Sequence, residues 1–341
     1  ICACLVGSEM CIRDRVSDIQ YLQMATQEGR NVAVAAVEGN FDDVQSTVKK
    51  IFASDLRQEL ADEGVELSSA NSINIGRLVP QVVYYFDAYR QLVEANEVEQ
   101  GAKVDFCVPT GNFGDVLAGY YAYRMGLPVR HFIVASNANN VLTDFLTTGV
   151  YDRNRPFVKT ITPSMDILIS SNLERMLYYA SEGDTALIAR LMENLRNEGV
   201  FRVEGEMLER IRSLFKCGWA DDAETSAMIR EAWRKDGRLV DPHTAVALKV
   251  ARERADRSVP CVVLSTASPF KFCRDVYIAL TGRPLEGDPD GFAYMDALSG
   301  LTSENAPAPL AGLRSMPVLH KDVVRPEGMA DFIRAAVARA F

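Results

Sequence analysis

Apolar runs and amphipathic stretches alternate along this chain. Residues 31–37 (NVAVAAV) read as a buried strand, closed by the turn pair Gly39-Asn40. Residues 41–52 (FDDVQSTVKKIF) read as a helix with Asp42 and Asp43 in its first turn, where the dipole favours acids. Across residues 71–95, Ile75, Leu78, Val79, Val82, Phe86, Tyr89 and Leu92 recur near helical spacing and predict one long helix. A short strand follows at 104–108, then a Gly-rich turn and a helix over 115–125. A further strand at 129–135 leads into a helix over 139–146.

Residues 172–236 read as mostly helical, with breaks at Gly183, Gly199 and Gly218. A helix over 241–254 carries Pro242 in its first turn, where the missing N–H costs nothing. Residues 260–265 (PCVVLS) form an apolar strand that runs into Thr266-Ala267-Ser268-Pro269 and another helix. Residues 282–318 are rich in Gly and Pro and least regular, and a short helix over 329–340 closes the chain. Strands alternating with helices predict open, mostly parallel sheets covered on both faces. The sequence holds no internal repeat and no long low-complexity tract.

Composition narrows this reading. With 341 residues the chain is long enough for two domains at about 150 residues each, and for a core that needs no disulfide or metal staple. Apolar residues at 48% and charged residues at 24% exclude wholesale disorder. No uninterrupted apolar stretch reaches the roughly 18 residues of a membrane-spanning helix. A net charge of −9 argues against a nucleic-acid or membrane-surface partner, while leaving room for a local basic pocket.

The first fifteen residues stand apart. The chain begins at Ile1, and Cys2, Cys4 and Cys11 crowd a segment with no helix or strand period. Arg13 and Arg15 come last, the reverse of a secretory signal, and the cysteines lack metal-site spacing. Residues 1–15 therefore read as a non-native scar on an N-terminally truncated chain, with poor solubility expected of what remains. Cys107 and Cys261 lie in apolar strand-like runs as small buried hydrophobes, and no spacing pairs them with Cys217 or Cys273. A reduced, cytoplasmic compartment fits.

Three segments carry candidate chemistry. In Val108-Pro109-Thr110-Gly111-Asn112-Phe113-Gly114-Asp115 a strand ends, two glycines flank a tight turn and a helix begins. Such a turn can present backbone N–H groups to an anion, or be an ordinary strand–helix turn. It lacks the Lys-Ser/Thr of a Walker loop and is too short for a dinucleotide fingerprint. Asn71, Ser72 and Arg77 sit around a helix start and can converge on a phosphate or carboxylate, or serve only as a cap with a solvated Arg. Ser265-Thr266-Ala267-Ser268-Pro269 follows a strand's carboxyl end, where open α/β sheets bind ligands, though a plain hydroxyl turn reads the same. His131, His243 and His320 are far apart and support neither a metal cluster nor a catalytic triad; His243 and Thr244 can simply be capping residues.

Together these segments resemble threonine synthase, of the longer branch found in bacteria and fungi. The resemblance runs in the family's order from about Ser17 to about Lys271. It takes in Gly39-Asn40-Phe41-Asp42-Asp43, Ser69-Ala70-Asn71-Ser72-Ile73-Asn74 and Pro109-Thr110-Gly111-Asn112-Phe113-Gly114. It continues through Ala135-Ser136-Asn137, Pro163-Ser164-Met165-Asp166-Ile167, Ser170-Ser171-Asn172-Leu173-Glu174-Arg175 and Ser265-Thr266-Ala267-Ser268-Pro269.

The resemblance implies an α/β, two-domain, fold type II enzyme dependent on pyridoxal 5′-phosphate (PLP) and similar in fold to the tryptophan synthase β chain. Thr110, Gly111, Asn112, Phe113 and Gly114 would hold the cofactor phosphate. Thr266 would face the pyridine nitrogen, and Asn71, Ser72 and Arg77 would grip the phosphate of O-phospho-L-homoserine. The implied reaction is a β,γ-replacement giving L-threonine and phosphate. The family's cofactor-anchoring lysine matches none of Lys49, Lys50, Lys103, Lys159, Lys216, Lys235, Lys249, Lys271 or Lys321, so no catalytic residue is assigned and the lysine is expected in a missing N-terminal part. On this reading residues 16–281 form an incomplete catalytic core and residues 282–341 a C-terminal region, in a monomer or homodimer. The alternatives are another enzyme of the fold, such as threonine dehydratase or cysteine synthase, or a non-catalytic protein that binds a phosphorylated ligand.

Overall fold

The computed structural model describes residues 2–3, 17–39, 41–68 and 74–340. Its strands, in chain order, are β1 (Cys2–Ala3), β2 (Val32–Ala33), β3 (Ala35–Val37), β4 (Val104–Pro109) and β5 (Val129–Ser136). There follow β6 (Val150–Asp152), β7 (Val200–Arg202), β8 (Phe215–Trp219), β9 (Cys261–Val263) and β10 (Asp322–Val324). The chain divides into two compact units that interleave in sequence: Ile1–Ala70 with Ser268–Phe341, and Asn71–Ala267.

The second unit is built on a parallel sheet in the order β8-β5-β4-β9. Side chains of a strand alternate between faces, and a parallel sheet is covered on both. Phe106, Val108, Phe132 and Val134 face one core with the helix Gly114–Arg124. Cys107, Ile133 and Ala135 face the other, under the helix Pro242–Arg254. The aromatic rings of Tyr85, Phe106 and Phe132 pack against one another at centroid distances of 5.0–6.2 Å. Near the amino end of β4, Asp105 is fully buried and takes hydrogen bonds from Arg130 and from the His131 N–H.

The first unit carries two small parallel pairs, β1 with β2 and β10 with β3. Its core gathers Val37, Val44, Ile51, Leu56, Leu60, Met329, Ile333 and Val337. The helices Phe41–Phe52 and Met329–Ala340 have the bounds their periodicity predicts.

Four elements differ from expectation. The predicted single strand over 31–37 is two short strands with different partners. The long helix over 71–95 is broken, among the described residues, into Ile75–Leu78, a 3-10 turn Val79–Gln81 and Val82–Glu94. Pro80 lies at the break, where it withholds a backbone donor. Gly218 does not end a helix; it lies in β8, paired with Ala135. A Cβ there would come within 2.8 Å of Val250 Cγ1, so glycine lets the helix Pro242–Arg254 approach the sheet. The region 282–318 holds the helix Gly291–Thr302, capped by Asp290 and burying Phe292, Met295 and Leu298.

Candidate active site

The site is assembled at the carboxyl ends of β4 and β9, neighbouring strands of the second unit. Beyond β4 the Thr110 N–H donates to the Ala135 carbonyl at 2.8 Å, and its hydroxyl donates to the Val108 carbonyl at 2.7 Å. The turn's carbonyls are drawn to one side. Ser170 Oγ donates to the Gly111 carbonyl at 2.9 Å. Asn172 donates to the Asn112 carbonyl from its backbone N (3.1 Å) and from Nδ2 (3.0 Å). Ser171 Oγ donates to Asn112 Oδ1 at 3.3 Å. By contrast, no described residue accepts a hydrogen bond from the N–H groups of Gly111, Asn112, Phe113 or Gly114. The helix Gly114–Arg124 has no side-chain cap either. A turn with its acceptors occupied and its donors open suits an anionic oxygen cluster.

The left-handed residue of this turn is not a glycine. Phe113 takes φ 60° and ψ 10°, a conformation uncommon outside Gly, Asn and Asp. Its buried ring, 5.8 Å from that of Phe215, holds it there. Gly111 is needed for space: a Cβ would lie 2.9 Å from the Ser164 carbonyl oxygen and 3.2 Å from Met165 Cα. The 3-10 turn Pro163–Met165 is thus the floor of the glycine turn. That floor runs into Asp166, which accepts from Asn137 Nδ2 at 2.7 Å, Asn139 Nδ2 at 3.0 Å and the Thr160 N–H at 3.0 Å. Burial pushes the Asp166 carboxyl up, against these hydrogen bonds.

Thr266 follows β9, and the Leu264 N–H extends the ladder to the Cys107 carbonyl at 3.0 Å. Its side chain is exposed, and no described residue bonds its hydroxyl. Arg77 is exposed on the short helix Ile75–Leu78, which Asn74 caps and which packs on the helix Gly114–Arg124. Asn71 and Ser72 lie outside the described residues. Sequence reasoning gave no role to Ser170, Ser171 and Asn172. Three polar residues before the helix Leu173–Ala180 look like a cap, yet the Asn172 side chain makes no cap bond and reaches Asn112 instead.

Beneath the turn lies Asp115, whose Oδ1 accepts from the Tyr85 hydroxyl at 3.1 Å. Burial holds this carboxyl up at about 6, the hydrogen bond only partly opposing it. The folded chain therefore binds this proton more tightly than the unfolded one. The contribution of Asp115 to stability falls as pH rises from about 4 to about 7, by about 3 kcal/mol in total. Asp115→Asn still accepts from Tyr85 and is expected to flatten that fall and to stabilise the chain at neutral pH. Denaturant titrations across the window check it; equal pH dependence in both proteins would contradict it.

Comparison with known proteins bears on the family and the fold. The family model "Threonine synthase, C-terminal" matches residues 244–329. The chain is 42% identical over 260 residues to the threonine synthase of Pseudomonas aeruginosa, covering 76% of this chain and 53% of that protein. It is 42% identical over 298 residues to human threonine synthase-like 1, covering 86% and 39% respectively. Among solved structures, PLP-bound threonine synthase from Brucella melitensis matches with a TM-score of 0.78 at 39% identity, over 95% of this chain and 63% of that one. The yeast enzyme matches with a TM-score of 0.77 at 31% identity, over 96% and 63%. The chain spans roughly two fifths to just over half the length of these curated relatives.

Fold and site together define the class: an α/β chain of the fold type II architecture, with parallel sheets flanked by helices. Within that class its sequence and its fold are similar to those of the threonine synthases over most of its length, as the ordered motifs imply.

Proposed function

We propose that this chain is part of a threonine synthase, a PLP-dependent lyase converting O-phospho-L-homoserine and water to L-threonine and phosphate. The observation that carries the reading is the donor-only turn at Gly111–Gly114 beyond β4, with the open hydroxyl of Thr266 beyond the neighbouring strand β9. Bound there, PLP would supply an electron sink for proton removal from the substrate carbons. The N–H groups of residues 111–114 would hold its phosphate with charge-assisted hydrogen bonds. The Thr266 hydroxyl would meet the ring nitrogen as a neutral partner. Asn71, Ser72 and Arg77 would bind the substrate phosphate, so a chain of net charge −9 handles anions through local donors.

The lysine that anchors the cofactor is assigned to none of the nine in the chain. Lys235 pairs with Glu231, Lys249 pairs with Glu224 and Glu253, and Lys103 precedes β4 at the end of the sheet opposite the turn. We place the protein in the cytoplasm as a monomer or homodimer. Cys107, Cys217, Cys261 and Cys273 are free, and no described helix is long and apolar enough to cross a membrane.

Equilibrium dialysis of the chain tests the phosphate site. Saturable binding of pyridoxal 5′-phosphate with little binding of pyridoxal is expected, and equal binding of the two would refute the site. For the gene product that contains the chain, O-phospho-L-homoserine should give threonine and free phosphate. Formation of 2-oxobutanoate from threonine, without that reaction, would favour a dehydratase instead.

A further inference from the structure

A buried pair links the two halves of this site. Asp241 caps the helix Pro242–Arg254 and is fully buried; His243 is 3% exposed. Asp241 Oδ1 accepts from the His243 N–H at 2.9 Å and lies 2.9 Å from His243 Nδ1. On the far side of the ring, Nε2 accepts from the Ser164 N–H at 3.3 Å. A ring nitrogen that accepts carries no proton, so the network assigns a neutral imidazole that donates from Nδ1 to Asp241. Ser164 belongs to the floor on which Gly111 rests. The other carboxylate oxygen, Oδ2, accepts from the Thr244 N–H at 3.4 Å and from the Thr244 hydroxyl. That hydroxyl lies 3.3 Å from Ser265 Oγ, one residue before Thr266.

One carboxylate thus has two arms. Through His243 it reaches the floor of the phosphate turn, and through Thr244 it reaches the strand end that carries Thr266. We propose that Asp241 and His243 are a positioning dyad that fixes the phosphate turn and the Thr266 hydroxyl relative to one another. This rests on the reading of the Gly111–Gly114 turn as a phosphate site. Neither residue touches the ligand in this assignment. Their effect is geometric: a cofactor held at its phosphate and at its ring nitrogen needs both contacts at a set spacing, and misplacement of one weakens both.

The test uses the whole chain with 15N-labelled histidine. Long-range 1H–15N spectra should show His243 as the neutral Nδ1–H tautomer, with its signals assigned by their loss in His243→Gln; an Nε2–H tautomer would overturn the dyad. His243→Ala is expected to weaken pyridoxal 5′-phosphate binding about tenfold and to speed amide exchange at Met165 and Asp166, whose N–H groups are bonded to the Thr162 and Pro163 carbonyls in the floor. His243→Gln carries an amide oxygen that can accept from Ser164 and should restore binding to within about threefold. Binding and exchange in His243→Ala equal to wild type would overturn the proposal, as would a lower melting temperature with both unchanged. If the wild-type chain binds no pyridoxal 5′-phosphate, the phosphate-site reading falls. The dyad is then judged by the tautomer and the exchange rates alone, and wild-type rates in His243→Ala would overturn it.

Discussion

Gly111→Ala is expected to lower the affinity for pyridoxal 5′-phosphate by at least about a hundredfold. The added Cβ meets backbone, not a flexible side chain: the Ser164 carbonyl oxygen at 2.9 Å and Met165 Cα at 3.2 Å. That floor cannot easily yield. His243 holds the Ser164 N–H from below, and the buried Asp166 network secures the residues that follow. The turn must therefore lift, and its N–H groups lose their common aim. Hydrogen bonds to a charged acceptor contribute roughly 1.5–3 kcal/mol each, so misaligning two of them accounts for the loss. Overpacking should also lower stability by about 1–3 kcal/mol. Dialysis against pyridoxal 5′-phosphate and against pyridoxal separates the two effects, because only the phosphate form should lose affinity. Wild-type affinity in a folded Gly111→Ala chain would show that the turn does not hold the phosphate.

The second large effect is on the scaffold. Asp105→Ala should destabilise the second unit by about 3–5 kcal/mol. Asp105 is fully buried and accepts from Arg130 Nε at 2.9 Å, from a second guanidinium nitrogen of Arg130 and from the His131 N–H at 3.1 Å. Removing the carboxylate strands a backbone N–H and part of a guanidinium in a site built for them. Arg130 keeps Asp256 at 2.9 Å, a partner nearer the surface, which places the loss toward the lower end of the range. Asp105 stands at the amino end of β4, away from the glycine turn, so the folded fraction should bind pyridoxal 5′-phosphate as wild type does. Denaturant unfolding measures the first quantity and dialysis the second. A change in unfolding free energy below about 1 kcal/mol would mean that the Arg130 pair contributes no more than an exposed ion pair does.

Much of the fold was legible in the sequence wherever the signal was local. The helices Phe41–Phe52 and Met329–Ala340 carry a full helical period, and β4 and β5 are near-continuous apolar runs. β8 was hidden because Lys216 and Gly218 interrupt its apolar residues and a helix leads straight into it. Its identity as a strand rests on pairing with β5, about eighty residues away in sequence. The helix Gly291–Thr302 was hidden by the Gly- and Pro-rich stretch around it. At the site, the turn residues and Thr266 were readable as strand-end segments, whereas the partners of the turn were not. Ser170, Ser171 and Asn172 resemble a cap until Gly111 and Asn112 are seen to offer them carbonyls. His243 reads as a capping residue, yet the capping side chain is that of Asp241, and the His243 ring looks across to Ser164.

What the sequence determined by itself was periodicity, turn chemistry and the ordered motifs that place the chain among its relatives. These depend on residues a few positions apart, whose geometry the backbone fixes. Only the tertiary structure decided which strands are neighbours and why Gly111 must be glycine. It also revealed that Phe113, not a glycine, takes the left-handed position, and that one carboxylate at Asp241 reaches both sides of the site. Each of these depends on atoms brought together by packing from distant parts of the chain, and no local pattern encodes such a meeting.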